Sequence, residues 1–304
     1  MAVPSPKEAM HSMSHGLWII ITGSLVAASC GFVGCFLILR RMAMLGDAIS
    51  HAVLPGIVIA FFLSNSTDNV FMLMGATVIG VLTAFFIQTL HTAGVQEDAA
   101  IGVVFTSLFA IGVVLVSLFA SDIHLDVQHV LYGEIAYVPW DMATLAGVEM
   151  PRAVWMISGV FALSLLIVGL FYKELKLVSF DAQMAAAAGI PVVFIHYLLM
   201  ALVSMNTVAA FESVGAILVV AMLVVPGAAA YLLTDRLGAM LGLSIVFGIV
   251  SACAGYIIAV YFDVSISGAM TTSAGLLFML CFLFSPRYGV VSRVLEQRRL
   301  KKAT

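Results

Sequence analysis

Charged side chains are scarce in this chain: Asp, Glu, Lys and Arg together make up 10% of its 304 residues, against 63% hydrophobic residues. A water-soluble domain carries roughly 25% charge because its surface faces water. A soluble globular fold is therefore excluded. Cysteine is sparse too. Cys30, Cys35, Cys253 and Cys281 all sit inside apolar blocks, with no spacing of a disulfide framework or zinc knuckle, and read as packing residues. No Gly-x-x-x-x-Gly-Lys-Ser/Thr pattern occurs, so the chain does not itself hydrolyse ATP. No His-Glu-x-x-His occurs either, and Ser50 and His51, as neighbours, point in different helical directions, which argues against an intramembrane enzyme. The lack of Cys-x-x-Cys or clustered Met disfavours soft-ligand copper transport, and the 17 methionines read as adaptable packing. Basic residues flank apolar runs instead of forming a nucleic-acid patch.

What the chain does have is length in its apolar blocks. No Asp, Glu, Lys or Arg falls between Asp98 and Asp122, between Arg236 and Asp263, or from Val264 to Pro286. About 20 residues of helix cross a bilayer core of roughly 30 Å. Nine such spans are expected, near 16–39, 48–66, 69–90, 98–120, 153–172, 191–210, 213–233, 237–261 and 265–284. The expected fold is all-α and polytopic. The N-terminus lacks the pattern of a cleavable signal. Nine spans place Arg40-Arg41, the 173–189 loop, Asp235-Arg236 and the basic tail on one side, which the positive-inside rule makes cytoplasmic. The N-terminus is then outside and the C-terminus inside. Residues 1–15 read as an external tail, 16–286 as one transmembrane domain and 287–304 as a basic cytoplasmic tail.

The stretch GDAISHAVLPG at 46–56 is the most informative. Asp47 and His51, four residues apart, share a helix face, and a carboxylate oxygen with an imidazole nitrogen suits a borderline divalent cation. Pro55 cannot donate to the His51 carbonyl, which is then free to line a polar pathway. The competing reading makes Asp47 a helix cap and His51 a hydrogen-bonding packing residue.

Other polar residues carry weaker signals. Glu212 lies between two apolar runs, either as an entry-gate ligand or as a turn residue that meets water. Asp122, His124, Asp126, His129 and Glu134 belong to the external loop, where polar residues are ordinary. His11, Met13 and His15 precede the first span, His91 marks a span end, and His196 is expected to pack with its hydrogen bond satisfied. On the cytoplasmic side, Asp181 is a good helix cap, 182–188 are mostly strong helix formers, Gly189 suits a helix end and Pro191 bars continuation. A short helix of about 10 Å follows, either an inert connector or a docking element.

The segment LGDAISHAVLPG at 45–56 resembles the signature of the ABC-type manganese/zinc/iron permeases, membrane subunits of the ABC-3 metal-uptake family. The similarity runs from about Gly16 to Arg287 and includes LYGEIAYVP at 131–139, VAAFESVGAIL at 208–218 and VVPGAAAYLLT at 224–234. The resemblance implies a type II importer permease in a bacterial plasma (inner) membrane. Asp47 and His51 would contact the metal in transit, and Glu212 is a further metal candidate. The short helix near 181–189 would couple to the ATPase through Asp181, Ala185 and Gly189. Implied partners are a second permease subunit (identical or not), two cytoplasmic ATPase subunits and an extracytoplasmic metal-binding protein. No cofactor is bound permanently; Mn²⁺, Fe²⁺ or Zn²⁺ is the cargo, with manganese favoured because 131–137 and 210–213 resemble the manganese/iron branch. An ion-coupled secondary metal transporter using Asp47 and Glu212 is the alternative.

Overall fold

The computed structural model describes residues 6–64, 69–119, 135–145, 148–285 and 289. In chain order the helices are α1 (Pro6–Leu39), α2 (Met44–Ala52), α3 (Leu54–Ser64), α4 (Asn69–Thr92) and α5 (Glu97–Phe119). A 3-10 turn (Ile135–Trp140) and the strands β1 (Met142–Leu145) and β2 (Val148–Pro151) follow. Then come α6 (Arg152–Leu170), α7 (Tyr172–Phe180), α8 (Ala182–Ala187), α9 (Val192–Val214), α10 (Ala216–Leu233), α11 (Leu237–Phe262) and α12 (Ile266–Phe284).

Among the described residues, nine spans are long and apolar enough to cross a membrane, α2 and α3 together forming the second. They coincide with the expected nine to within a few residues. Two features differ from expectation. The first helix starts at Pro6, so much of the segment read as a tail continues α1. And part of the loop between α5 and α6 forms an antiparallel hairpin, Met142 opposite Pro151, closed by the Arg152 amide donating to the Asp141 carbonyl at 2.9 Å.

Helix α1 is the most enclosed of these spans. It packs most closely with α10 and α11 and also reaches α6 and α9. A second group gathers α2, α3, α4 and α5, and α9 touches both groups. Without a hydrophobic drive between helices in lipid, such contacts depend on small residues and on hydrogen bonds. Both are present. A side chain at Gly34 of α1 would run into the backbone carbonyl of Leu223 on α10. The Leu223 side chain lies over Gly46, so one residue of α10 seats both α1 and the start of α2. Gly56 of α3 and Gly75 of α4 likewise bring their backbones together. The hydrogen bonds centre on Asn206 of α9. It accepts from Ser29 of α1 and donates to Ser164 of α6 at 2.7 Å, and all three are buried. This clasp ties three helices where no water competes.

Gly34→Val should therefore lower stability by ~1–3 kcal/mol, the usual cost of overpacking. At Gly102 an added Cβ meets nothing within 4 Å, so Gly102→Ala should be close to neutral. Thermal unfolding of the purified protein in detergent compares the two.

Candidate functional site

Asp47 and His51 lie one turn apart on α2, and the structure brings them together: His51 Nε2 is 3.6 Å from an Asp47 carboxylate oxygen. The capping reading of Asp47 does not hold. Ala43 occupies the cap position with no side-chain bond, and Asp47 is already inside the helix. Ser50, next to His51, turns away and donates to the Gly46 carbonyl at 2.8 Å. One side of the pair is a wall. The His51 ring sits 6.1 Å from Phe105 and 6.2 Å from Phe109, centre to centre, both on α5. One turn further along α5, Gly112 leaves room for the Pro55 ring, which a side chain there would strike. A single face of α5 (105, 109, 112) thus cradles both His51 and the break after it. That break is Val53, where α2 gives way to α3, and Pro55 has no N–H to offer the His51 carbonyl.

The other side of the pair is open. The side chains of His51 and Asp47 keep 32% and 44% of their exposure, which for polar groups within a span marks a face toward a cavity or another subunit. The pair supplies two ligands. Among the described residues, no group of three or more His, Cys, Asp or Glu gathers that could hold an ion. An arrangement of two donors and a freed carbonyl can touch a divalent cation in passing, but falls short of the four ligands of a resident zinc.

Glu212 lies two residues before the end of α9, where Gly215 (φ 81°, ψ 163°) bends the chain into α10. The other end of α9 is tied at His196, whose Nδ1 is 3.5 Å from an Arg40 nitrogen just before α2. From there Glu212 is about 24 Å along α9, whereas His51 is about 10 Å along α2. The loop candidates Asp122, His124, Asp126, His129 and Glu134 lie outside the described residues, as do Arg287 and 290–304. His15 has its ring 5.6 Å from that of Trp140. His196 departs from expectation, because its Nε2 is buried without a hydrogen-bond partner.

The short helix expected after Asp181 forms as its sequence dictates. Asp181 accepts from the Met184 amide at 2.9 Å, capping α8. At the far end Gly189 takes φ +80°, and the amides of Gly189 and Ile190 donate back to Ala186 and Ala185, both at 3.0 Å. These two bonds are the Schellman arrangement that glycine permits. Ala185 is fully buried against the rest of the chain and anchors α8. The outward face is Ala182, Gln183, Met184, Ala186 and Ala187, with Met184 61% exposed. The Phe105/Phe109 wall escaped the sequence reading, since nothing distinguishes these from the chain's other phenylalanines until α5 is docked.

Residues 13–285 match the ABC 3 transport family. The chain belongs to that family. As a member it is a transport permease, not an enzyme. It is 55% identical to the "Manganese transport system membrane protein MntD" of Bacillus subtilis, over 95% of this chain and 99% of that one. It is 42% identical to the "Zinc transport system membrane protein TroD" of Treponema pallidum, over 93% of this chain and 77% of that one. Among solved structures, "PsaBC from Streptococcus pneumoniae in complex with Fab" aligns with a TM-score of 0.76 at 36% identity, over 93% of this chain and 94% of that one.

Replacing Asp181 with Ala should cost α8 ~1 kcal/mol, the usual worth of a side-chain cap. Faster amide exchange over 182–190, with the spans unchanged, is the expected readout.

Proposed function

We propose that this ABC-3 permease imports a divalent transition metal, manganese first, past Asp47 and His51. The observation that carries the reading is the carboxylate–imidazole pair on one helix face, backed by aromatic rings and open on the other side, at the point where the second span loosens. An oxygen with a nitrogen donor suits Mn²⁺, Fe²⁺ and Zn²⁺ alike, because affinity follows the Irving–Williams order and selectivity comes from geometry and supply. Manganese is preferred on the names of relatives, among them the B. subtilis protein. The zinc protein of T. pallidum keeps zinc as the outcome to exclude.

In this reading the chain lies in the plasma membrane of a bacterium with its N-terminus outside and its C-terminus in the cytoplasm. A second permease subunit faces the open side of the Asp47–His51 pair. Two ATPase subunits work from the cytoplasm, and an extracytoplasmic binding protein delivers the metal. Glu212, at the other end of α9, serves entry and not the central pair. Helix α8 is the coupling element: a capped, glycine-ended rod whose outward face is small apart from Gln183 and Met184. Asp181 and Gly189 keep it rigid, and Ala185 holds it to the spans.

Changing Asp47 to Asn keeps its size but removes the charge, and changing His51 to Leu removes a nitrogen ligand. Uptake of labelled Mn²⁺ should fall about tenfold or more, the worth of one charge-assisted contact, while the complex still assembles. Wild-type uptake in both variants would return the pair to a packing role, and a clear preference for Zn²⁺ in competition would overturn manganese. Met184→Glu puts a charge on the outward face of α8. It should abolish co-purification of the ATPase with the permease while membrane insertion stays normal.

A further inference from the structure

We infer that Arg40 is a positioning residue that carries movement of α7 and α8 into α2, and so into Asp47 and His51. The inference rests on the reading of α8 as the ATPase-facing element.

Arg40 lies in the short link between α1 and α2, and that link is stiff. The Arg41 amide donates to Ile38 at 3.0 Å, the Met42 amide to Leu37 at 2.9 Å and the Leu45 amide to Met42 at 3.1 Å. Arg41 adopts φ 61° to close this turn. A displacement of Arg40 therefore moves the start of α2 with it. From this link the guanidinium reaches two other elements. Its Nε donates to Ser179 Oγ at 3.2 Å, near the end of α7, and its Nη1 lies 3.5 Å from His196 Nδ1 on α9. Ser179 is two residues before Asp181, the cap of α8. The Asp181 amide donates to Leu177 of α7 at 2.8 Å, and the Ala185 amide to the Asp181 carbonyl at 3.1 Å. An unbroken chain of bonds thus leads from α8 through Asp181, Ser179 and Arg40 to the helix that bears the metal pair.

The chemistry of the joint is not that of a static brace. Arginine has only donors, so His196 Nδ1 must accept and its own proton sits on Nε2. Arg40 Nη2 and His196 Nε2 are then both donors, and both are buried with no partner. Among the described residues no carboxylate lies within ion-pair distance of Arg40. A part-buried guanidinium without a counterion costs stability instead of adding to it. Burial lowers its pKa to about 10, so it stays charged at neutral pH and its donors are constant through a transport cycle. Two long contacts, of 3.2 and 3.5 Å, and two unsatisfied donors make a joint that can be reset at small cost, as a relay between two states requires.

The test uses the full transporter, permease with its ATPase, in vesicles, and compares Arg40→Lys, Ser179→Ala and Arg41→Lys by Mn²⁺ uptake, ATP hydrolysis and co-purification. Lysine keeps the charge and loses the fork. Arg40→Lys should lower the ions moved per ATP by about tenfold, and Ser179→Ala by about threefold, as expected for a charged and a single hydrogen bond. ATP hydrolysis, the KM for Mn²⁺ and ATPase binding should stay at wild-type values, and Arg41→Lys should change nothing. An unchanged ratio in both variants would overturn the inference. So would a raised KM, which would put Arg40 in metal binding, or loss of the assembled complex, which would make it a folding residue. Met184→Glu separates the two readings: if that variant keeps its ATPase, the role of α8 fails whatever Arg40 does.

Discussion

A peptide group in the hydrocarbon core must find its hydrogen-bond partner within the protein, because no water is there to supply one. The rest of the structure follows from this constraint. It makes every span a helix, and it makes each interruption of a helix worth explaining. Two prolines interrupt spans here, and their surroundings differ. Pro226 in α10 is buried, and a Cβ at Gly31 of α1 would lie 3.6 Å from its ring and 3.5 Å from the Met222 carbonyl that loses its donor. That defect is sealed by packing. Pro55 is also seated, by Gly112 of α5, but the carbonyl it releases belongs to His51, whose side chain remains partly open. The same backbone chemistry thus serves tight packing in one place and leaves a polar opening beside a carboxylate in the other.

Side-chain polarity obeys the same rule. Ser29, Asn206 and Ser164 satisfy one another in the centre of the bundle and fix α1, α9 and α6. The Asp47–His51 pair is incompletely engaged, and so is the Arg40–His196 contact. In a membrane protein an unsatisfied polar group is expensive, and its persistence points to a use. The two incomplete sites are joined by the first residues of α2, which makes one mechanical unit of them.

Much of this was legible from the residues. The nine spans follow from apolar length alone, and the i, i+4 relation of Asp47 and His51 survives any uncertainty in helix ends. The cap at Asp181 and the left-handed Gly189 were legible as well, since both depend on local chemistry. What was not legible depends on docking. A helix reading Ala-Gln-Met-Ala-Ala-Ala carries no hydrophobic contrast, so nothing in it tells that Ala185 faces inward. The Phe105–Phe109 wall is one apolar pair among many until α5 meets α2. Arg40 reads as a flank that anchors a span, and its bonds to Ser179 and His196 join residues 139 and 156 positions away. The β1–β2 hairpin is built from strands of four residues each, too short to show an alternation.

The economy of the Asp47–His51 pair is itself an argument for the proposed contact with metal in transit. A site that stores an ion surrounds it with ligands on rigid elements and holds it tightly. A site that passes an ion on must bind well enough to admit it and weakly enough to release it. Asp47 and His51 offer two donors from one turn of helix, next to a break where the helix can flex, and leave the remaining coordination positions open. Whatever completes the shell, whether water, the His51 carbonyl or the same pair from a second subunit, comes from groups that can be exchanged. Affinity can then change when α2 shifts by a fraction of a turn, without breaking a closed cage. The stiff link at Arg40–Met42 lies at the end of α2 where such a shift would begin, and the loosened turn at Val53 lies where it would be absorbed.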